Sequence, residues 1–170
     1  MTEVATTLEL TGGLLVGHDG SPAAAPAVRW AARIARRLDC PLHVVRTWSL
    51  SSAPRPTTAA PGYVPPMSDF EAAVLGRLEA DVAALGLPEG CDVHVHALHG
   101  AAGRRLLEAS EGADMLVVGT RGAGGFAGLH FGSTADQVVR HARCPVVVVP
   151  VDGGHDDPED LDTQLRARPE

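Results

Sequence analysis

The sequence predicts an α/β fold in which helices cover both faces of a parallel β-sheet. Strand-like and helix-like segments alternate between residues 12 and 150, and most of the strand-like segments are continuous apolar runs. Such runs are typical of parallel strands that are buried on both faces. Five strands and four helices fit a doubly wound, three-layer sandwich, and a chain of 170 residues is expected to form one domain of this kind.

The strands and helices follow from short local patterns. The first strand is an apolar run that ends in glycine, and the third alternates polar and apolar residues. The first helix starts after Ser21 with Pro22 in its first position, which favours a helix N-terminus. The strands are predicted at residues 13–17, 42–48, 92–97, 115–118 and 146–149, and the helices at residues 22–38, 68–85, 101–110 and 133–142.

Three segments are predicted to be irregular. Residues 1–11 are expected to form a loose start. Residues 49–66 contain five of the thirteen prolines, which predicts a long loop. Ser68 and Glu71 then predict a capping box at the start of the second helix. Residues 151–170 form an acidic tail with few apolar residues, which is expected to be disordered.

The composition argues against several classes of partner. A net charge of −7 is unfavourable for binding nucleic acid or an anionic membrane surface, and no apolar run is long enough to span a membrane. The three cysteines form no CxxC motif, which indicates reduced thiols. The first residues lack the pattern of a signal peptide. We therefore expect a cytoplasmic protein.

A glycine-rich segment after the fourth strand predicts a phosphate-binding loop. Gly119 and Gly122 follow the strand, and after nine further residues Gly132, Ser133 and Thr134 open the last helix. Glycine lets the main chain approach an anion, and a helix N-terminus offers free N–H groups and the positive end of its dipole. Ser133 and Thr134 can donate hydroxyl hydrogen bonds and can also cap the helix. A flexible loop with an ordinary serine cap is the alternative, but the spacing and the flanking elements favour phosphate binding.

The absence of lysine limits the chemistry of such a site. All fourteen basic side chains other than histidine are arginine. A Walker-type phosphate loop and a lysine Schiff base are therefore excluded. Arg121, inside the glycine-rich loop, is either a counter-charge for phosphate or an exposed side chain.

Polar side chains at two other places are candidates for binding. Asp19 follows the first strand, where it either accepts hydrogen bonds from a ribose diol or stabilises a turn. Its neighbour His18 can contact a base or a phosphate, but no nucleophile accompanies it and no catalytic residue is assigned. His94 and His96 share a face of the third strand and lie near His99, which suggests a metal site. A structural or surface role is favoured because no cysteine or carboxylate pattern accompanies them.

Taken together, these motifs resemble those of the universal stress protein family. The resemblance covers about residues 12–150 and rests on four segments: Leu15–Ser21, Leu116–Gly122, Gly125–Gly128 and Cys144–Pro150. It implies a Rossmann-like sheet of the adenine nucleotide alpha hydrolase-like type, with strand order 3-2-1-4-5. It also implies ATP at the C-terminal ends of the strands and a homodimer formed through the last strand, Val146–Val149.

The resemblance further implies a role for individual residues. Asp19 would hold the ribose with Gly119 nearby, and Gly17 and the backbone of Thr47 would line the adenine. The phosphates would be bound by Gly122, Gly132, Ser133 and Thr134.

Three hypotheses about function follow. The primary one is a cytoplasmic, ATP-binding sensor or regulator of the stress response, with ATP bound together with Mg²⁺. The second is a slow ATPase or nucleotidyl-processing enzyme, which is disfavoured because the site offers one aspartate and no lysine. The third is a nucleotide-free dimerisation module, against which the intact glycine motif argues.

Overall fold

A computed structural model describes residues 3–120 and 131–150 and confirms the predicted parallel sheet. The five strands are ordered β3-β2-β1-β4-β5, and all four neighbouring pairs are parallel. The strands are β1 (Leu14–Gly17), β2 (Leu42–Trp48), β3 (Val93–His99), β4 (Met115–Gly119) and β5 (Val146–Val149). The helices are α1 (Ala25–Leu38), α2 (Met67–Ala83), α3 (Ala102–Ser110) and α4 (Ser133–His141), and a short 3-10 helix, Pro22–Ala24, precedes α1.

Two apolar cores, one on each face of the sheet, make the three-layer sandwich. On one face Leu14, Val16 and Val44 pack against α1 and α2. On the other face Leu15 and Val45 pack against α3 and α4. The side of α1 that meets the sheet is rich in alanine, which lets this helix approach the strands closely. Consecutive strand residues therefore enter opposite cores, which is why the strands read as continuous apolar runs.

The helix starts differ from the predicted capping patterns. The capping box of Ser68 and Glu71 is wrong, because α2 begins at Met67 and no side chain caps it. Glu71 instead accepts a hydrogen bond from the backbone N–H of Ala5 at 2.6 Å. Ser21 does stand at a helix N-terminus, but its hydroxyl bonds to Asp19 and not to a helix amide. In both cases a longer-range or turn contact takes the side chain away from the cap.

The segment before β1 is tied to the sheet. Residues 3–11, which we expected to be loose, contain no helix or strand, but Leu8 and Leu10 pack on the core beneath α3 and α4. The carbonyl of Ala5 accepts a hydrogen bond from the N–H of His99 at 2.8 Å. Residues 49–66 likewise contain no helix or strand. The predicted tail 151–170 lies outside the described residues. Within the described ranges, no helix is long and apolar enough to cross a membrane.

Candidate nucleotide site

The strand order creates a crevice at the C-terminal ends of β1 and β4. The chain leaves β1 towards β2 on one side, and it leaves β4 towards β5 on the other. The two connections therefore diverge, and ligands of doubly wound sheets bind in the gap between them. One wall of this crevice is the β1–α1 turn (residues 17–21), and the other is the N-terminus of α4.

The β1–α1 turn is held by a set of short hydrogen bonds. The N–H of His18 bonds to the carbonyl of Val45 at 2.8 Å, which fixes the turn to β2. The N–H of Gly20 donates to Nδ1 of His18 at 3.0 Å. The N–H and hydroxyl of Ser21 donate to Oδ1 of Asp19 at 2.9 and 2.6 Å. Asp19 is therefore a turn-forming residue, and its side chain remains exposed.

His18 is kept neutral in this turn. Burial lowers its pKa, and the positive charge of Arg46 lowers it further, while Asp19 and Asp81 act in the opposite direction. A neutral ring is also what the hydrogen bonding requires, because Nδ1 accepts from Gly20 and so carries no proton. His18 is thus a structural part of the turn at neutral pH.

On the other side of the crevice, the two ends of the glycine-rich loop lie together. The N–H of Thr120 bonds to the carbonyl of Val149 at 3.0 Å, and the N–H of Gly132 bonds to the carbonyl of Thr120 at 2.7 Å. Gly119, the last residue of β4, is therefore next to the start of α4. Arg121 and Gly122, which were predicted to contact phosphate, lie outside the described residues.

The N-terminus of α4 presents backbone amides with no side-chain cap. Gly132 is the N-cap residue and has no side chain with which to bond the first turn. The bond from the N–H of Asp136 to the carbonyl of Gly132, at 2.9 Å, is the first one of the helix. The amides of Ser133, Thr134 and Ala135 precede it, so the helix supplies no acceptor for them. Their N–H groups are the donors that this end of the helix offers to an anion.

This arrangement changes the roles of two predicted residues. Ser133 is the first residue of α4 and does not cap it. The N–H of Gly132 is already used by Thr120, so it is not among the open donors. The side chain of Ser133 is exposed and that of Thr134 half-buried, so both hydroxyls lie at the open end of the helix.

The two residues assigned to adenine lie on β1 and β2. Gly17 is the last residue of β1 and is aligned with Val45 of β2. A Cβ on Gly17 would lie 3.1 Å from Cδ1 of Leu106, so the packing of α3 explains why this residue is small. Thr47 lies two residues after Val45 on β2, past the last residue of β1, because β2 extends further than β1. Its backbone therefore borders the crevice from the neighbouring strand.

The predicted histidine pair lies next to a third histidine on the neighbouring strand. His43 of β2 stacks on His94 with 5.2 Å between ring centroids, and its Nδ1 lies 3.1 Å from Nε2 of His96. His99 instead packs edge-on against Trp48. Over residues 3–120 and 131–150, no group of three or more His, Cys, Asp or Glu residues could hold a metal ion.

Sequence reasoning missed Arg46, which lies behind the β1–α1 turn. The residue is 8% exposed, and its guanidinium is in close contact with Gly20. Its one signal in the sequence is an arginine within the otherwise largely apolar strand Leu42–Trp48. The sequence shows this charged residue within the strand, but it does not show which residue the guanidinium contacts.

Comparison with known proteins identifies the family. The profile described as "Universal stress protein family" matches residues 13–150. The universal stress protein Rv2623 of Mycobacterium tuberculosis is 36% identical over 143 residues, which cover 81% of this chain and 47% of that protein. The chain spans about half the length of the curated relatives it matches. It belongs to the universal stress protein family.

Solved structures of this family share the fold, and several contain nucleotide. A universal stress protein crystallised in complex with cAMP is 25% identical, with a TM-score of 0.58 and coverage of 85% of this chain and 100% of that one. A universal stress protein from Archaeoglobus fulgidus in complex with dAMP is 22% identical, with a TM-score of 0.52 and coverage of 80% and 95%. The second likeness shows the fold alone.

Proposed function

We propose that this universal stress protein binds an adenine nucleotide, with ATP and Mg²⁺ as the first candidate, and acts as a sensor or regulator in the stress response. The observation that carries the proposal is the uncapped N-terminus of α4, which faces the crevice next to the end of β4. A universal stress protein crystallised with cAMP, to which this chain is similar, supports the choice of ligand. No catalytic role is included in the proposal.

In this proposal the phosphates bind mainly to backbone. The amides of Ser133, Thr134 and Ala135 and the positive end of the helix dipole attract the phosphates, and the two hydroxyls add donors. Gly122 and Arg121 extend this surface from the preceding loop, as the family resemblance implies. Because the donors belong to the main chain, the chain can bind a polyanion without lysine.

The nucleoside would lie across β1 and β2. Asp19 accepts hydrogen bonds from the ribose hydroxyls, near Gly119, and the exposed carboxylate is compatible with this role. Gly17 and the backbone of Thr47 border the adenine. The ribose-binding carboxylate and the phosphate-binding amides then belong to the two walls of one crevice, as the diverging connections of β1 and β4 require.

The proposal also includes a homodimer formed through β5. The carbonyls of Pro145 and Val149 accept hydrogen bonds from Leu116 of β4 and from Thr120, which follows β4, so the alternate residues 146 and 148 direct their amides and carbonyls to the other side. No strand pairs with that side among the described residues. An exposed, valine-rich edge strand invites pairing with another chain, and a second copy of β5 would cover it.

A cytoplasmic location is part of the proposal because all three thiols are free. Cys40, Cys91 and Cys144 are half-buried. Burial raises the pKa of each thiol, which keeps it protonated and unreactive. Free, unreactive thiols suit a reducing compartment.

Calorimetric titration with ATP, ADP, AMP and cAMP, each with and without Mg²⁺, tests the proposal directly. Binding should also raise the melting temperature, since ligand at 100 times its Kd adds about 2.7 kcal/mol of stability. Mass spectrometry of the purified protein under native conditions would show any retained nucleotide. No binding of any of the four nucleotides, with no change in melting temperature at millimolar concentration, would contradict the proposal.

A further inference from the structure

The arginine behind the β1–α1 turn is a buried charge without an ion-pair partner in the described part of the chain. Strand alternation places Arg46 on the same face as Val44 and Trp48, under α1 and α2, where it is 8% exposed. Its Nη1 is buried and has no hydrogen-bond partner there. Burying a guanidinium is costly unless the surroundings compensate for its lost hydration. The lost hydration of Arg46 therefore destabilises the folded protein, and a purely structural role would not explain its burial.

The guanidinium lies directly beneath Gly20. A Cβ on Gly20 would be 2.7 Å from both Cζ and Nη2 of Arg46 and 3.1 Å from Nε. Gly20 also has φ = +82°, a conformation that side-chain-bearing residues rarely adopt. Two features of Gly20 therefore define the shape of the turn: its left-handed backbone conformation and its close contact with the flat guanidinium group of Arg46.

Arg46 also acts on the turn through His18. The Gly20 N–H donates to Nδ1 of His18 at 3.0 Å, and this bond exists only while the nitrogen is unprotonated. The charge of Arg46 is one of the causes that hold the pKa of His18 below its ordinary value, after burial. Asp19 and Asp81, the two carboxylates that act on His18, favour the protonated ring. Burial outweighs the two carboxylates, and the charge of Arg46 adds to the effect of burial.

We propose that Arg46 is a positioning residue of the nucleotide site, which supports Gly20 and thereby the turn that presents Asp19 to the ribose. The inference rests on the proposed function, because it concerns the same ligand. Arg46 itself touches the turn from behind. It acts on the nucleotide through Asp19, which is anchored to Ser21 in the turn that Arg46 supports.

The experiment compares two variants of Arg46 with a matched control. Arg46→Met removes the charge and the flat group but keeps most of the volume, and Arg46→Lys keeps the charge alone. Val44→Ala is the control, since Val44 lies two residues earlier on the same strand face and is fully buried in the apolar core. ATP affinity is measured by calorimetry well below each melting temperature, and the pKa of His18 by NMR titration.

Arg46→Met should weaken ATP binding by about ten-fold or more, the effect of losing one charge-supported contact, and should raise the pKa of His18. Arg46→Lys should restore the pKa of His18 and part of the affinity. Val44→Ala should lower the melting temperature but leave both readouts unchanged. If Arg46→Met does not fold, Arg46→Lys tests the flat guanidinium group alone: it should weaken ATP binding, whereas Val44→Ala should not.

Three outcomes would overturn the inference and can be told apart. Wild-type ATP affinity in a folded Arg46→Met variant would refute the positioning role alone. Absence of binding in the wild-type protein would refute the nucleotide proposal and the positioning role with it. Equal losses of affinity in Arg46→Met and Val44→Ala, with no change in the pKa of His18, would reduce Arg46 to a general contribution to stability.

Discussion

Replacing Gly132 by aspartate should separate the stability of α4 from its ability to bind an anion. Gly132 is the N-cap of α4, with φ = −67° and ψ = 161°, a conformation open to any residue. An aspartate there can accept hydrogen bonds from the amides of Thr134 or Ala135. The side chain would therefore occupy the donors that we assign to phosphate, and it would place a negative charge beside them.

The two effects have opposite signs and different sizes. Capping and the charge–dipole interaction together should stabilise the ligand-free protein by about 0.5–1 kcal/mol, which raises the melting temperature by roughly 2–3 °C. A phosphate about 5 Å from the new carboxylate would be repelled by about 3 kcal/mol at an effective dielectric constant of 20. Such a cost weakens binding by roughly 100-fold. Gly132→Asp should thus be more stable than wild type without ATP and less stable than wild type with it.

Differential scanning fluorimetry and calorimetry with and without ATP measure both effects on the same samples. Gly132→Asn is the matched control, because it caps the helix with similar geometry but without charge. It should be stabilised in the same way and should lose less affinity than Gly132→Asp. If Gly132→Asp is stabilised by ATP as strongly as the wild-type protein, the amides of α4 are not the phosphate site and the reasoning fails.

Three further predictions concern other parts of the molecule. Burial and the neighbouring imidazoles lower the pKa of His96 to about 4, so its contribution to stability is complete above the unfolded value of about 6.5 and is lost as pH falls from there towards 4. Urea unfolding at pH 7 and pH 5 measures how much the free energy of unfolding falls between these two pH values. In His96→Gln this fall should be smaller than in the wild-type protein by about 1 kcal/mol, a figure discounted for partial exposure, and an equal fall in both proteins would contradict the prediction. Val148→Pro removes an outward amide of β5, so light scattering should show a monomer with an unchanged circular dichroism spectrum, whereas a dimer would exclude this interface. Glu71→Ala should speed hydrogen exchange at Ala5 while exchange in β2 stays slow, and an unchanged rate at Ala5 would show that this hydrogen bond does not hold the segment.

The sheet could be predicted because its strands are specified locally. β1, β4 and β5 are short apolar runs bounded by glycine or proline, and the predicted bounds differ from those observed by one residue or none. β3 extends further, to His99, because its last residues pair with the end of β2 and not because of their own pattern. The helix starts were less predictable. Glu71 satisfies a capping motif in sequence, yet its carboxylate bonds to Ala5, a contact across 66 positions that no local pattern contains.

The same contrast applies to the candidate site. The glycine spacing predicts a role for Gly132 and the two residues after it, but the amide of Gly132 is taken by the carbonyl of Thr120, a contact across twelve positions that no local pattern reveals. Arg46 was missed for a related reason. The sequence places Arg46 within β2. It does not show that the buried guanidinium contacts Gly20, which belongs to the connection between β1 and α1.

A chain with a net charge of −7 can attract a polyanion only if positive potential is concentrated where the anion binds. Charges on the surface are screened beyond about 10 Å at 0.1 M salt, so distant carboxylates contribute little repulsion in the crevice. Asp136, the acidic residue in the first turn of α4, is paired with Arg140, whose Nε donates to both of its carboxylate oxygens at 3.0 Å. Two sources of positive potential near the crevice are the amides of α4 and the buried guanidinium of Arg46, and water screens neither of them fully. The location of these two groups, and not the overall charge, is what makes an anionic ligand physically reasonable for this protein.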